Sequence, residues 1–182
     1  LWQETYDRDI ADVFTVQSDV ASRIANALKA KVTPEVKKRM DRIPTQNQES
    51  YDLFLKGQQA YLKFWTDWNM NHVRVGIDYL VKAVALDSTF SDALAGLGQC
   101  YWILASYAPD YTPDYWRKSR AYLDKAIALD SKNAWAYAQL AIVQHYRDWD
   151  KSAASRSFQR ALELNPSDYD INNSVFWFYL QS

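Results

Sequence analysis

"ALELNP", residues 161–166, decides the fold, because "AVALDS" at 83–88 and "AIALDS" at 126–131 nearly repeat it. Aligned on Ala83, Ala126 and Ala161, the three copies stand 43 and 35 residues apart, a spacing that belongs to stacked repeats rather than to one irregular fold. The same pattern precedes each alanine: a large apolar residue three back (Leu80, Leu123, Phe158) and a small one seven back (Gly76, Ser119, Ala154). Intervals of three and four put all three on one helical face. Small residues there admit a second helix at close range, and the Leu or Phe fills the space beside it. Each run therefore reads as the second helix, B, of a repeat.

Upstream of each B helix lies another periodic run: "YDLFLKGQQAY" (51–61), "ALAGLGQCYW" (93–102) and "AWAYAQLAIVQHY" (134–146). Gly57, Gly98 and Ala141 hold equivalent places in these A helices, with Leu53, Leu94 and Tyr137 one turn earlier. Glycine inside a helix costs about 0.5–1 kcal/mol relative to alanine, so its recurrence at one place predicts a tight crossing. Thr45 with Gln48 has the spacing of a capping box, and "TPD" at 112–114 offers an N-cap followed by proline at the first helical position.

With these residues aligned, the chain resembles the tetratricopeptide repeat, a 34-residue helix-turn-helix unit. The best copy is 134–167, where Tyr137, Leu140, Ala141, Ala154, Phe158, Ala161 and Pro166 match the family's large, small and proline positions. The earlier copies depart from it: Ser88 and Ser131 replace the closing proline, and Lys56 stands where the family prefers leucine. Their small-to-small intervals are also longer, 19 residues from Gly57 to Gly76 and 21 from Gly98 to Ser119 against 13 from Ala141 to Ala154. That extra length is expected in loops, "KFWTDWNMN" and "ASYAPDYTPDYW". After Pro166, "YDINNSVFWFYLQS" reads as helix A of a fourth unit. The expected fold is all-α, a tetratricopeptide-type solenoid of three repeats plus one truncated, preceded by an amphipathic helix.

Residues 1–43 read differently from the array at 44–182. "LWQETYDRDIADVFTVQSDVASRIANAL" is a short extended piece followed by a helix over 12–29 with an apolar stripe of Val13, Val16, Val20, Ile24 and Leu28. "LWxExYDR" followed by that helix resembles the last strand and helix of the TolB-like domain that precedes tetratricopeptide repeats in bacterial signalling proteins, and "RDWDKSAASRSFQRALELNP" resembles a repeat of the same group. Such proteins carry, upstream, a class III adenylate or guanylate cyclase domain or a winged-helix DNA-binding domain. The resemblance implies a regulatory interaction module of a cyclase-type parent, with the sensor region of a winged-helix regulator as the alternative. It implies a cytoplasmic location, or a periplasmic one if the parent has an upstream membrane segment. The stripe and the truncated fourth repeat (Val175, Phe176, Tyr179) would both lack cover, which predicts a homodimer.

Composition narrows the function classes. The chain is 48% hydrophobic and 24% charged with only four glycines, enough apolar material for a core. A net charge of −1 gives no electrostatic footprint for nucleic acid. The one cysteine, Cys100, cannot form an internal disulfide and reads as a small buried hydrophobe. No apolar run approaches the roughly 20 residues of a membrane span. The chain opens on Leu1 without the layout of a signal peptide, and we expect a piece of something longer.

Candidate chemistry is sparse. His72 and His145 lie in different repeats outside any metal-binding spacing. "GLG" at 96–98 sits within a helical run, which indicates close packing and not a dinucleotide loop. Asp148 and Asp150 around Trp149 read as turn and N-cap residues with the tryptophan packed in the turn. The "NNS" at 172–174 matches a glycosylation sequon by chance, and Lys29, Lys31, Lys37, Lys38, Arg39 and Arg42 form a solvated linker interrupted by Glu35 and Asp41. No nucleophile, base and orienting group assemble from this inventory, so a small helical-repeat enzyme is the least favoured reading. No metal or cofactor is expected, and the partner is a protein or peptide, another domain of the parent included. Stacked A helices line the concave side of such arrays, which puts Tyr51, Phe54, Gln58, Tyr61, Gln99, Trp102, Trp135, Ala138 and His145 toward the groove. Members of the family that grip carboxylate tails carry lysine and asparagine where this chain has Phe54, Ala95 and Ala138, then Gln58, Gln99 and Ile142, so a carboxylate clamp is not expected.

Overall fold

The computed structural model describes residues 10–27 and 32–181, and the chain divides after Gln48 into two compact units, each taken by itself below. The expected extended piece at 1–9, together with Leu28, Lys29 and Lys31, lies outside the described residues. Among the described residues there are nine helices and no strand.

In the first unit, α1 spans Ile10–Ala27, and Val16, Val20 and Ile24 of its apolar stripe are exposed. The expected linker contains a short helix, α2 (Pro34–Met40). Its start follows from Thr33, whose Oγ1 accepts the Val36 N–H at 3.3 Å, and from Pro34 in the first turn, where a missing N–H costs nothing. Lys37 pairs with Asp41 one turn on, at 2.8 Å.

The second unit is the array. Helices α3 (Gln48–Asp67) and α4 (Met70–Leu86) form the first pair, α5 (Ser91–Tyr107) and α6 (Pro113–Leu129) the second, α7 (Ala134–Tyr146) and α8 (Lys151–Leu164) the third, and α9 (Tyr169–Leu180) follows as a fourth A helix. Caps punctuate the series: Asn69, Thr112, Asn133, Asp150 and Asp168 each accept a backbone N–H of the helix they precede. Ahead of α3, Thr45 Oγ1 accepts from the Asn47 N–H at 3.1 Å.

The three alanines of the repeated stretch are fully buried, and each carbonyl accepts the closing N–H of its own helix, from Asp87, Asp130 and Asn165. Two of those carbonyls take a second bond from the paired A helix, Ser50 Oγ to Ala83 at 2.8 Å and Ser91 Oγ to Ala126 at 2.9 Å. So the recurring helix end is where B is tied back to the start of its own A helix.

The expectation of long loops in the first two repeats is overturned. Only residues 68–69 separate α3 from α4, and 108–112 separate α5 from α6; the extra length lies in the helices, of 20 and 17 residues and of 17 and 17, against 13 and 14 in the third pair. An added turn is stable when its own side chains find cover. Phe64 is fully buried at the end of α3, its ring 4.9 Å from that of Trp65, 5.3 Å from Trp68 and 6.0 Å from Tyr107. The two tightest A-to-B turns each carry a tryptophan in left-handed backbone, Trp68 (φ 57°) and Trp149 (φ 54°). Trp149 is 83% exposed, so it does not pack in its turn as the sequence suggested, while Asp150 caps α8 as expected.

The crossings set the spacing of each pair. A Cβ added to Gly76 would stand 3.2 Å from the Gly57 carbonyl, and one added to Gly98 would stand 2.5 Å from Leu123 Cγ. Leu123 is fully buried and has no room to yield. Gly98→Ala is therefore expected to lower stability by about 1–3 kcal/mol through overpacking, against a helix-propensity gain of about 1 kcal/mol at most. Chemical denaturation checks this, and adding Leu123→Ala should cost less in the Gly98→Ala background than in the parent. Unchanged stability of Gly98→Ala would show that the crossing is looser than described.

Candidate functional site

Residues at intervals of three and four on the A helices form stripes facing a common cavity of about 620 Å³. Tyr61 and Trp65 come from α3, Gln99, Trp102, Ser106 and Tyr107 from α5, Gln139, Ile142, His145 and Tyr146 from α7, and Asp170, Ser174, Trp177 and Phe178 from α9. All four A helices thus contribute, with Phe158 of α8 the lining residue from a B helix, and we take this A-helix side as the inner face of the array.

Its polar groups are unevenly satisfied. Trp102 Nε1 donates to Gln139 Oε1 at 2.7 Å, fixing the indole across two repeats. Gln99 Oε1 and His145 Nδ1 are buried with no hydrogen-bond partner, although the side chains are only 6% and 9% exposed. The His145 ring stands edge-on to Tyr146 at 4.7 Å and Phe178 at 5.1 Å. Burial, and secondarily the charge of Lys151, hold its pKa below the ordinary histidine value. Burial also pushes the Tyr61 hydroxyl up to about 12, with the Asp170 carboxylate adding to the effect from α9.

Of the nine expected groove residues, Tyr61, Gln99, Trp102 and His145 line the cavity. Tyr51, Phe54 and Trp135 form a separate aromatic cluster over the buried ring of Phe90, with Phe54 5.0 Å from Phe90 and 6.4 Å from Trp135. Gln58 packs against Gly96, its Nε2 buried without a partner. Ala138 is 1% exposed and offers a ligand no surface, because it packs in the core of the third repeat. Sequence reasoning missed Trp65, Ser106, Tyr107, Asp170 and Trp177. The signal was available: continuing the Tyr61 stripe one turn gives Trp65, and continuing Gln99 and Trp102 gives Ser106.

The other expected sites resolve simply. Cys100 is 1% exposed, and burial pushes its thiol up to about 12, far from a reactive thiolate. His72 Nε2 lies 2.9 Å from Asp67 Oδ2 at the α3–α4 turn. Among the described residues no group of three or more His, Cys, Asp or Glu side chains is arranged to hold a metal ion, and no helix is long and apolar enough to cross a membrane.

The fold has solved counterparts. The chain is similar to the first TPR domain of Spaghetti (RPAP3) bound to the HSP90 peptide SRMEEVD, with a TM-score of 0.56 and 16% identity over 74% of this chain and 95% of that one. It is similar to the same extent, over 98% of that chain, to the TPR domain of Arabidopsis OM64, and over 94% of this chain and 81% of the other to MamA, with a TM-score of 0.50 and 18% identity. The fold is a tetratricopeptide-type helical solenoid. No family model matches the chain. By sequence it is 41% identical over 64 residues, 35% of its length, to a protein of Rhizobium meliloti (strain 1021) named "Putative adenylate cyclase 3". The matched stretch spans 11% of that relative.

His145 makes stability pH-dependent. Its pKa is lower in the folded chain than in the unfolded one, so the unfolded state takes up more protons as pH falls through about 6.5. The contribution is fully present above that value and is lost below it, until the folded ring protonates too. Between pH 7.0 and 5.5 the Tm should therefore fall, and fall less in His145→Gln. Parallel profiles for the two proteins would rule His145 out as the source.

Proposed function

We propose that this chain is a non-catalytic peptide- or protein-binding module of a larger bacterial signalling protein, and that the inner face of its array is the binding surface. The cavity lined by all four A helices carries this reading: its volume lies within the range of ligand sites, roughly 300–1,000 Å³, and its walls are aromatic and nearly uncharged. The Spaghetti domain of like fold binds its peptide, which supports a peptide as the kind of partner. Residues 1–43 are the end of a TolB-like domain in this reading. The partial identity to the Rhizobium protein supports a class III adenylate or guanylate cyclase as the parent. Such a parent's cyclase domain draws on cytoplasmic nucleoside triphosphates, and in this reading the array shares that compartment unless a membrane segment lies between them.

Site-specific photo-crosslinking tests the binding surface. A photoreactive phenylalanine at Ser106, exposed at the groove, should capture polypeptides from a bacterial lysate, while the same group at Lys125, exposed on α6, should not. Equal capture at both positions would reject the groove. The exposed stripe of Val16, Val20 and Ile24 on α1 supports pairing of two copies through that helix. Light scattering across a concentration series should give a dimer mass that Val20→Glu with Ile24→Glu converts to a monomer. A monomeric parent chain at every concentration would end that proposal.

A further inference from the structure

The groove's charge and hydrogen-bonding pattern specify its occupant more closely. Among the described residues Asp170 is the only carboxylate lining the cavity, and no lysine or arginine lines it. Its side chain, in the first turn of α9, makes no hydrogen bond or ion pair among the described residues. Tyr61 of α3 lines the same cavity. The same cavity is lined by Trp65 of α3, Trp102 of α5 and Trp177 of α9, aromatic rings of the kind that attract cations. Two further atoms are spare, the buried Gln99 Oε1 and His145 Nδ1. Buried polar atoms without partners are few in native proteins, and two on one cavity wall call for an explanation.

A guanidinium meets the charge, the aromatic walls and the spare Gln99 oxygen together. It has five N–H donors and no acceptor, it stacks on aromatic rings, and it stays charged. A free carboxylate would face Asp170 with nothing positive to offset it. An aliphatic side chain would leave both spare atoms unpaired.

We infer that the cavity holds a basic side chain of a bound peptide, arginine above all, with Asp170 as its counter-ion, the tryptophans as its walls and Gln99 as a hydrogen-bond acceptor. Peptide binding itself rests on the function proposed above; the basic anchor is the added claim. Bound arginine would turn the Gln99 amide so that its orphaned oxygen accepts an N–H. It would also exclude water from the Asp170 carboxylate, which strengthens the pairing.

Selection of random dodecapeptides displayed on phage, against the immobilised 182-residue chain, tests the claim. Arginine or lysine should be enriched at least threefold over the starting library at one position. The leading peptide, measured by fluorescence anisotropy, should bind Asp170→Asn about tenfold more weakly, with the Tm lowered only slightly, because Asp170 is exposed and loses no more than its interaction with the α9 N-terminus. Replacing its basic residue by norleucine should cost as much in the parent and little in Asp170→Asn. Enrichment of acidic or purely apolar peptides, or equal affinity for Asp170→Asn, would overturn the basic anchor and leave the peptide groove standing. No enrichment of any peptide would overturn both.

Discussion

Each repeat is built around one close approach, the place where helix A meets helix B without room for a side chain between them. In the first pair two glycines face each other, Gly57 and Gly76, and in the second the Ser119 hydroxyl donates to the Gly98 carbonyl at 2.7 Å. In the third, Ala141 and Ala154 are both fully buried. The chemistry differs among the three while the spacing is kept, which identifies the constraint as steric. Beside each crossing a Leu80, Leu123 or Phe158 fills the remaining gap, and all three are buried. Two helices pinned this way act as one rigid unit, and the orientation of each pair then carries to the next through short turns.

The groove follows from that rigidity. Because B helices take up the tight crossings, the opposite faces of the A helices need not pack against their own partners and are left to line an inner surface. The first two repeats extend this surface by a turn. The length added to α3 and α5 brings in Trp65, Ser106 and Tyr107, and it is stabilised from behind by the buried ring of Phe64. The surface cluster of Arg74 with Asp110, bonded at 2.7 and 2.8 Å, ties α4 to the α5–α6 loop at the same end. Such an exposed pair contributes little to stability and serves mainly to position the loop.

How legible this was depends on which physical rule each feature obeys. The helices, their pairing and the crossings were readable because small residues at fixed intervals have few other uses, and Gly57, Gly98 and Ala154 stand where the sequence put them. Element lengths were not readable: "KFWTDWNMN" looks like a loop by composition, and only tertiary cover for Phe64 makes most of it helix. The short helix at Pro34 was signalled by Thr33–Pro34, a start motif hidden by the surrounding basic residues. For the groove, helical periodicity sorted residues into faces but could not say which aromatic residues would be covered by a neighbouring repeat. Thus Tyr51, Phe54 and Trp135 went to packing around Phe90, whereas Tyr61 and Trp102, on the same faces further along, were left to the cavity.

The repeat's own register also accounts for one of the polar atoms left over, His145 Nδ1. Counted from the N-cap positions of α5 and α7, Phe90 and Asn133, Trp102 and His145 hold the same position in successive repeats. Trp102 is satisfied by Gln139 of the next A helix. The residue of α9 corresponding to Gln139, counted from the cap Asp168, is Ser174. Serine has a shorter side chain than glutamine, and its hydroxyl donates to the Asp170 carbonyl in its own helix at 2.8 Å. One missing reach on α9 therefore breaks a hydrogen-bonding pattern that the preceding repeat completes. An unmade bond of this kind costs about 1–3 kcal/mol, and replacing His145 by an apolar residue would remove that penalty. The cost falls on the wall where α7 and α9 border the cavity, so the array gives up stability at a surface where an incoming donor could restore it.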